Sequence, residues 1–290
     1  MTNAEVFDRH RSLLFTLGYE LLGSVADAED VVQEAYLRWS QRPPGEVANP
    51  RAYLAQVTTR LALNRLRTLA RRREDYVGPW LPEPLLTAPD VAEDVVLAES
   101  VSLALLVVLE SLGPRERAVF VLREVFGYSH DEIASALDSS PVAVRQLAHR
   151  ARQHVEARRP RFTTDRATAE RVRAEFERSL LTGDLQALMD VLAPDVVLLS
   201  DGGGVVSAAR RPIVGADAVA RFLLGIVAKN PDARVEHAIV NGSPAWVTRL
   251  DGRPHGAVLT ELAGGLVSGI KIVVNPDKLA ALDAPRTLTR

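Results

Sequence analysis

The chain has 290 residues, of which 47% are hydrophobic and 25% are charged, and its formal net charge is −2. This length favours two or three domains, because a single hydrophobic core seldom grows so large. The composition is that of a soluble globular protein, and the near-zero charge argues against indiscriminate coating of nucleic acid. The lack of cysteine excludes disulfides and thiolate metal sites, and we expect no metal and no cofactor. There is no apolar run of membrane-spanning length and no signal-peptide pattern, so we expect a cytoplasmic protein without a membrane partner.

Charge is distributed unevenly along this balanced chain. Arginines cluster over residues 60–73 and again over 145–161, whereas acids concentrate over residues 27–34 and 90–99. Separate basic and acidic patches are typical of a protein that holds DNA with some faces and a protein partner with others.

Two helices are predicted within the first 41 residues. Apolar residues at helical spacing form the first helix, which ends near Gly23, and Ser24 or Asp27 caps the second, over residues 27–41. The second helix turns five polar residues outward: Asp27, Glu29, Asp30, Gln33 and Glu34. Acids in a first turn also complement the helix dipole, so helix-start chemistry alone explains them equally well.

A long helix is predicted after Asn49-Pro50. Four polar residues are interleaved among its leucines: Arg60, Asn64, Arg65 and Arg67. Four prolines then punctuate residues 76–89, which we interpret as an extended linker with exposed aromatic side chains. Helices are expected to resume near Val91, to continue past residue 109 and to restart after residues 113–114.

Residues 127–159 predict two capped helices with a tight turn between them, the pattern of a helix-turn-helix. Ser129 and Glu132 form a capping box for the first helix, and Ser140 caps the second, with Pro141 at its first position. The apolar back of the second helix consists of Val144, Leu147, Ala148, Ala151 and Val155. Its polar front carries Val142, Arg145, Gln146, His149, Arg152 and Gln153. Arginine and glutamine bind base edges through paired hydrogen bonds, so this face suits the major groove; a basic surface helix in a bundle is the alternative.

After residue 162 the pattern changes to that of an α+β domain. Two helices are predicted over residues 163–184 and up to Pro194, and a third over 216–229. Strands are predicted over 195–200, 204–214, 233–240, 244–250, 257–262 and 267–274. The dipeptides Asn241-Gly242, Asp251-Gly252 and Gly264-Gly265 predict two-residue hairpins. These elements describe an α+β cone.

The order of these motifs resembles the extracytoplasmic-function (ECF) sigma factors of the sigma-70 superfamily. DAEDVVQEAY and residues 112–152 carry the resemblance, which covers roughly the first 160 residues. It implies a multi-domain fold: two all-α sigma domains, the second with the helix-turn-helix, followed by an α+β cone similar to the SnoaL-like fold. The implied boundaries are 1–75 for sigma domain 2, 76–93 for a proline-rich linker, 94–159 for sigma domain 4, 165–279 for the SnoaL-like domain and 280–290 for a tail.

The resemblance also implies a function, partners and site residues. The chain would direct core RNA polymerase, through its clamp and flap regions, to promoter DNA. The polymerase contacts would be Asp27, Glu29, Asp30, Gln33 and Glu34. The minus-10 contacts would be Arg60, Asn64, Arg65 and Arg67. The minus-35 contacts would be Ser140, Val142, Arg145, Gln146, His149 and Arg152.

Two short motifs, and the sequence WLPEPL in the linker, are similar to markers of the sigma-J-like subgroup. Members of that subgroup have a SnoaL-like C-terminal domain. The first motif is Asp201, Gly202, Gly203 and Gly204, and the second is Asn275, Pro276, Asp277, Lys278 and Leu279. The resemblance implies that these residues regulate the sigma domains. Val205 stands where a lysine usually follows the glycines, and a flexible turn is an alternative explanation for the glycine run.

Two other functions remain open at this point. A ligand-responsive one-component DNA-binding regulator is the first, although it would not need the acidic helix or the proline-rich linker. An enzyme is the second, with candidates Asp201, His237, His255 and Glu261. No motif fixes the geometry of these four residues, so we expect no catalytic residues and no enzyme. A small ligand in the C-terminal domain is a further candidate partner.

Overall fold

A computed structural model describes residues 2–88, 94–158 and 164–290, and for residues 70–74 and 95 the backbone alone. The predicted helix start near Val91 lies outside the described residues. The chain divides into two compact units. The first comprises Met1–Asp75, Thr87–Arg159 and Pro285–Arg290, and the second comprises Tyr76–Leu86 and Pro160–Ala284.

The first unit begins with three helices that pack together: α1 (Asn3–Leu22), α2 (Val25–Ser40) and α3 (Pro50–Glu74). Gly23 ends α1 in the left-handed conformation, with φ of 67°, and the hydroxyl of Ser24 accepts from the Asp27 amide to cap α2. The leucines of α1 and the valines of α2 are buried, so the predicted apolar faces form the core.

Among the residues described in the same unit, five helices follow: α4 (Val95–Ser100), α5 (Leu103–Leu109), α6 (Pro114–Phe120), α7 (His130–Ala136) and α8 (Pro141–Arg158). The helical stretch predicted to continue past residue 109 consists of two helices and ends at Leu109, because the helix is interrupted between α4 and α5. There the hydroxyl of Ser102 accepts from the Leu105 amide and starts a new helix. A π-helical turn, Val121–Val125, extends α6.

The second unit combines helices α9 (Arg166–Thr182), α10 (Leu185–Val191) and α11 (Ala216–Lys229) with one sheet. Its described strands are β1 (Leu192–Asp201), β2 (Ile213–Val214), β3 (Arg234–Val240), β4 (Ser243–Leu250), β5 (Arg253–Ala263) and β6 (Leu266–Val273). The strand order is β2-β1-β6-β5-β4-β3, in which β1 and β6 are parallel and the other pairs are antiparallel. Phe176, Leu188, Val219 and Trp246 help to fill the core between helices and sheet.

The three hairpin predictions are confirmed. Residues 241–242, 251–252 and 264–265 all have positive φ, as two-residue turns of this type require. Two other predictions in this unit were wrong. The strand predicted over 204–214 forms only at Ile213–Val214, and the short helix ends at Val191, so that Pro194 lies within β1 at a shift in register.

Among the described residues, no helix is both long enough and apolar enough to cross a membrane.

Candidate functional site

The helix-turn-helix has the predicted caps. The Ser129 hydroxyl accepts from the Glu132 amide at 3.2 Å, and the Glu132 carboxylate accepts from the Ser129 amide at 2.7 Å. The hydrogen bonds that the Glu132 carboxylate accepts from the Ser129 amide and hydroxyl lower the pKa of Glu132. Asp138 turns the chain with a φ of 48°, and the Ser140 hydroxyl then accepts from the Ala143 amide at 3.2 Å. Helices α7 and α8 therefore each begin at a capping residue, and a tight turn separates them.

Helix α8 separates its apolar back from its polar front as the sequence predicts. Val144, Ala148, Ala151 and Val155 are buried, whereas Leu147 is half-buried. The front side chains are exposed: Val142, Arg145, Gln146, His149, Arg152 and Gln153. Arg152 also pairs with Glu124 at 2.6 Å, which raises the pKa of the arginine. Helix α8 thus presents an arginine, a glutamine and a histidine to solvent, while its opposite, apolar face is buried in the core.

Arg60 of α3 is bound to the end of α7. Its guanidinium donates to the carbonyl oxygens of Ala136 at 2.9 Å and Ser135 at 3.1 Å, and it pairs with Asp138 at 2.7 Å. The amide of Gln56 also donates to Ser135, at 2.9 Å. The structure therefore brings a predicted minus-10 residue against the helix-turn-helix, which sequence reasoning did not anticipate.

The acidic helix and the arginine-bearing helix also contact each other. Arg65 pairs with Asp27 at 2.6 Å and with Asp30 at 3.1 Å, and the bond to Asp27 raises the pKa of the arginine. Asn64 accepts from Arg67 at 3.2 Å. Asp27 and Glu29 are partly buried, whereas the other predicted polymerase contacts are exposed: Asp30, Gln33 and Glu34.

A buried polar junction joins α1 to α4 and α6. Arg117 is 2% exposed and donates to the backbone oxygen of Glu20 at 3.0 and 2.8 Å, and it also pairs with Glu110. The carboxyl of Glu20 accepts from the Ser100 hydroxyl at 2.8 Å. Burial raises the pKa of Glu20 to about 8 and lowers that of Arg117 to about 9. Sequence reasoning missed this junction, because nothing in the local pattern marks Glu20 as buried.

In the second unit, Asp201 lies at the centre of a cluster that holds the linker. The carboxylate is fully buried and accepts four hydrogen bonds, two on each oxygen. The donors are the Tyr76 hydroxyl at 2.6 Å, the Gly203 amide at 3.1 Å, the Leu81 amide at 2.8 Å and Lys278 Nζ at 2.7 Å. Two of these donors belong to the linker, so the acid of the first motif binds the linker directly.

Lys278 of the second motif holds the same stretch of linker. Its ammonium donates to the Leu81 carbonyl oxygen at 2.6 Å. It also lies 4.8 Å from the ring centroid of Tyr76 and 4.2 Å from that of Trp80, distances typical of cation–π contacts. Tyr76 and Trp80 are half-buried, so the prediction of exposed aromatics was wrong. Burial, and then the bond to Asp201, raises the pKa of Tyr76.

Asn275 joins the two motifs to each other. Its side-chain amide donates to the Tyr76 hydroxyl at 2.9 Å, and its backbone amide donates to the Asp201 carbonyl oxygen at 3.0 Å. Gly203 has a φ of 61°, and a Cβ there would lie 2.3 Å from Asn275 Nδ2. The glycine run thus permits a close approach that a side chain would block. Val205, at the position of the usual lysine, is 64% exposed.

A second attachment holds residues 85–86 of the linker. The Leu85 amide donates to Asn241 Oδ1 at 3.0 Å, and the Asn241 amide donates back to the Leu85 carbonyl oxygen at 2.8 Å. Leu81 and Leu85 are fully buried, and Leu86 pairs with Val240 as an antiparallel bridge. The sequence marked Asn241 only as a turn residue, and its side-chain role could not be seen there.

Among the described residues, the four enzyme candidates do not form a common site. Asp201 is committed to the linker, and the Glu261 carboxylate pairs with Lys271, whose pKa burial lowers to about 8. The exposed ring of His237 contacts Glu177 at 2.7 Å. These arrangements give each of the three groups a structural partner.

The comparisons with known proteins agree with the motifs. The family model described as Sigma-70 region 2 matches residues 6–72, and the one described as Sigma-70, region 4 matches residues 102–155. The chain is 39% identical over 287 residues to the ECF RNA polymerase sigma factor SigJ of Mycobacterium tuberculosis (strain ATCC 25618 / H37Rv), covering 94% of this chain and 91% of that protein.

A further relative and a solved structure also match nearly the full length of the chain. The probable ECF RNA polymerase sigma factor SigI of Mycobacterium tuberculosis (strain CDC 1551 / Oshkosh) is 34% identical over 279 residues, 95% of this chain and 94% of that protein. The crystal structure of Mycobacterium tuberculosis SigJ superposes with a TM-score of 0.76 at 37% identity, covering 96% of this chain and 98% of that one.

These matches confirm the predicted fold class, two all-α sigma domains and an α+β SnoaL-like cone, and they favour a sigma factor over a one-component regulator. Members of this family are in general not enzymes. With both sigma regions matched and the relatives aligned over nearly its full length, the chain belongs to the ECF sigma factors of the sigma-70 superfamily, in the sigma-J-like subgroup with a SnoaL-like C-terminal domain.

Proposed function

We propose that the sequence-predicted residues carry out promoter recognition in this sigma factor and that its C-terminal domain regulates the process by holding the linker. The recognition surface is the exposed front of α8, where Arg145, Gln146 and His149 stand on a buried apolar back. Side chains of this kind reach base edges when a helix lies in the major groove. This face supports the assignment of α8 to the minus-35 element.

The arginine-bearing helix α3 serves the minus-10 element in this proposal. Arg60 is bound to Ser135, Ala136 and Asp138, so its guanidinium must leave α7 before it contacts DNA phosphates. The arrangement described here therefore corresponds to a DNA-free state. The exposed acids Asp30 and Glu34 contact core polymerase at its clamp, since a negatively charged helix face suits a cationic partner surface.

The linker is where regulation acts. Residues 76–93 join the two sigma domains, and an extended chain spans about 3.3–3.6 Å per residue. When residues 76–86 are bound to Asp201, Lys278 and Asn241, the distance between the two ends of that segment is fixed. A sigma factor that must place two DNA-binding domains on separated promoter elements needs this span to adjust. We therefore assign the cluster an inhibitory role that release of the linker relieves.

The remaining assignments concern the same domain and the place of action. Three of the four candidates for catalysis, Asp201, His237 and Glu261, have structural partners, which supports a C-terminal domain that regulates without catalysing a reaction. Because the proposed partners are core polymerase and promoter DNA, we infer that the protein acts in the cytoplasm. A small ligand in the C-terminal domain stays a prediction, as does a contact with the polymerase flap.

In vitro transcription with core polymerase tests the proposal. The template is the region upstream of the chain's own gene, and the proteins are the full chain, an Asp30→Lys/Glu34→Lys variant and a Tyr76→Phe variant. We expect promoter-specific transcripts from the full chain and none from the charge-reversed variant. Tyr76→Phe removes the hydroxyl that Asp201 and Asn275 share, so we expect it to give more transcript.

Lys229→Met is the matched control, because Lys229 is an exposed residue of α11. The control variant should transcribe like the wild type. Unchanged output from Tyr76→Phe would contradict regulation through the linker, and reduced output would make the cluster an activator. Normal output from the charge-reversed variant would refute the assignment of α2 to polymerase, provided that circular dichroism shows all variants folded.

A further inference from the structure

Residues Pro285–Arg290, here called the covering segment, belong to the first unit and lie along α1. The Ser12 hydroxyl donates to the Thr287 carbonyl oxygen at 2.9 Å, and the Thr289 amide donates to the Thr16 hydroxyl at 3.1 Å. Leu288 is only 3% exposed. The segment is therefore fastened by its backbone and by one apolar side chain, although it has no regular secondary structure.

Arg286 connects the covering segment to the acidic helix. Its guanidinium pairs with one oxygen of the Glu29 carboxylate and lies 4.9 Å from the ring centroid of Phe15. The other oxygen of Glu29 accepts from Arg11 at 2.7 Å. Both oxygens of Glu29 are thus bound to arginines of this chain, one of which lies in the covering segment.

The charges of the two surfaces are complementary. The covering segment has the sequence PRTLTR, which contains two arginines and no acid. It reaches α2 at Glu29, next to Asp30 in the acidic run of that helix. Arg290 makes a second ion pair, with Asp94, at 3.4 Å. A cationic partner of α2 would make the same kind of contact with Glu29 that Arg286 already makes.

We propose that the covering segment is an internal competitor of core RNA polymerase for the acidic face of α2. This inference rests on the proposed function of α2 as the polymerase-binding helix. The covering segment makes few contacts, and these are partly exposed. It is covalently attached, however, and a tethered group binds at a high effective concentration. The segment occupies Glu29 in the free protein and leaves α1 and α2 when a cationic polymerase surface binds there.

The test measures the affinity of the full chain for core polymerase by fluorescence anisotropy. The Arg286→Ala/Leu288→Ser variant should bind about threefold to tenfold more tightly. That range corresponds to a segment docked in about two thirds to nine tenths of the free molecules, because the apparent affinity falls with the competent fraction. Arg253→Ala, at an exposed residue of β5, is the control and should bind like the wild type.

The Asp30→Lys/Glu34→Lys variant separates this inference from the proposed function. If charge reversal abolishes binding while the covering-segment variant binds no more tightly than the wild type, the inference is overturned and the role of α2 stands. If charge reversal leaves binding intact, the role of α2 fails and the inference fails with it.

Amide hydrogen exchange gives a second measurement that does not depend on the variants. The Thr289 amide is hydrogen-bonded in the docked segment, so a peptide containing it should exchange about threefold to tenfold more slowly than an open amide in the free wild-type protein, and faster once core polymerase is added. Unchanged protection in the polymerase complex would show that the segment stays in place, and it would overturn the competition.

Discussion

Arg145 is the residue of α8 whose chemistry is best suited to base recognition. Its side chain is exposed near the start of the helix, three positions after the exposed Val142, and arginine binds guanine through two parallel hydrogen bonds. We expect Arg145→Ala to weaken binding to the cognate promoter by about 1–3 kcal/mol. Quantitative binding to cognate and unrelated duplexes at one salt concentration measures the effect.

Comparison of the two duplexes distinguishes base contact from phosphate contact. An equal loss on cognate and unrelated DNA would mean that Arg145 touches only phosphate and carries no specificity. Arg171→Ala is a suitable control, because Arg171 is an exposed arginine of α9 in the other unit.

Between elements, the junction of α1, α4 and α6 depends on the protonation of Glu20. The carboxyl is fully buried, and its folded-state pKa of about 8 lies above the ordinary value of 4.5. Between these two values the folded state binds more protons than the unfolded state, so the free energy of unfolding decreases as pH rises. The contribution is fully present below about pH 4.5 and is lost as pH passes through about 8.

Glu20→Gln should therefore remove part of the pH dependence of stability. Glutamine keeps an oxygen for the Ser100 hydroxyl but does not titrate. Urea unfolding from pH 5 to pH 8.5 should show a fall in wild-type stability relative to the variant, with a slope of at most about 1.4 kcal/mol per pH unit. Equal slopes in the two proteins would disprove the role of Glu20. Glu156→Gln, at an exposed position of α8, should behave like the wild type.

On the scale of the whole chain, residues 76–86 of the linker belong to the second compact unit. Tyr76 and Trp80 are half-buried against Lys278, so a protease that cuts after aromatic residues should attack them slowly. Lys278→Met leaves the buried Asp201 without its cation, and we expect the linker to be cleaved faster in that variant. Limited digestion with chymotrypsin, followed by mass spectrometry, measures the rate at each bond.

Two comparisons make this result specific to the linker. Lys229→Met should be cleaved like the wild type, because that lysine is exposed on α11. Tyr76→Phe keeps the Asp201–Lys278 pair and should accelerate cleavage after Trp80 without unfolding the cone. Equal cleavage rates in all four proteins would contradict a linker held by this cluster.

Local chemistry determined much of this protein from its sequence. Caps at Ser24, Ser129 and Ser140 fix helix starts with neighbours three residues away, and the hairpin glycines act within two residues. The apolar back and polar front of α8 follow from helical periodicity. The order of these motifs also identified the family, because motif order is a property of the sequence.

Only the tertiary structure decided which of these residues meet. The partners of Asp201 include Tyr76, 125 residues away, and Lys278, 77 residues away, and the bond from Arg60 to Asp138 spans 78 residues. The burial of Glu20 and the seating of residues 285–290 on α1 likewise depend on distant segments. Periodicity and capping act over a few residues, whereas hydrogen bonds and burial depend on proximity in space, which the folded chain alone establishes.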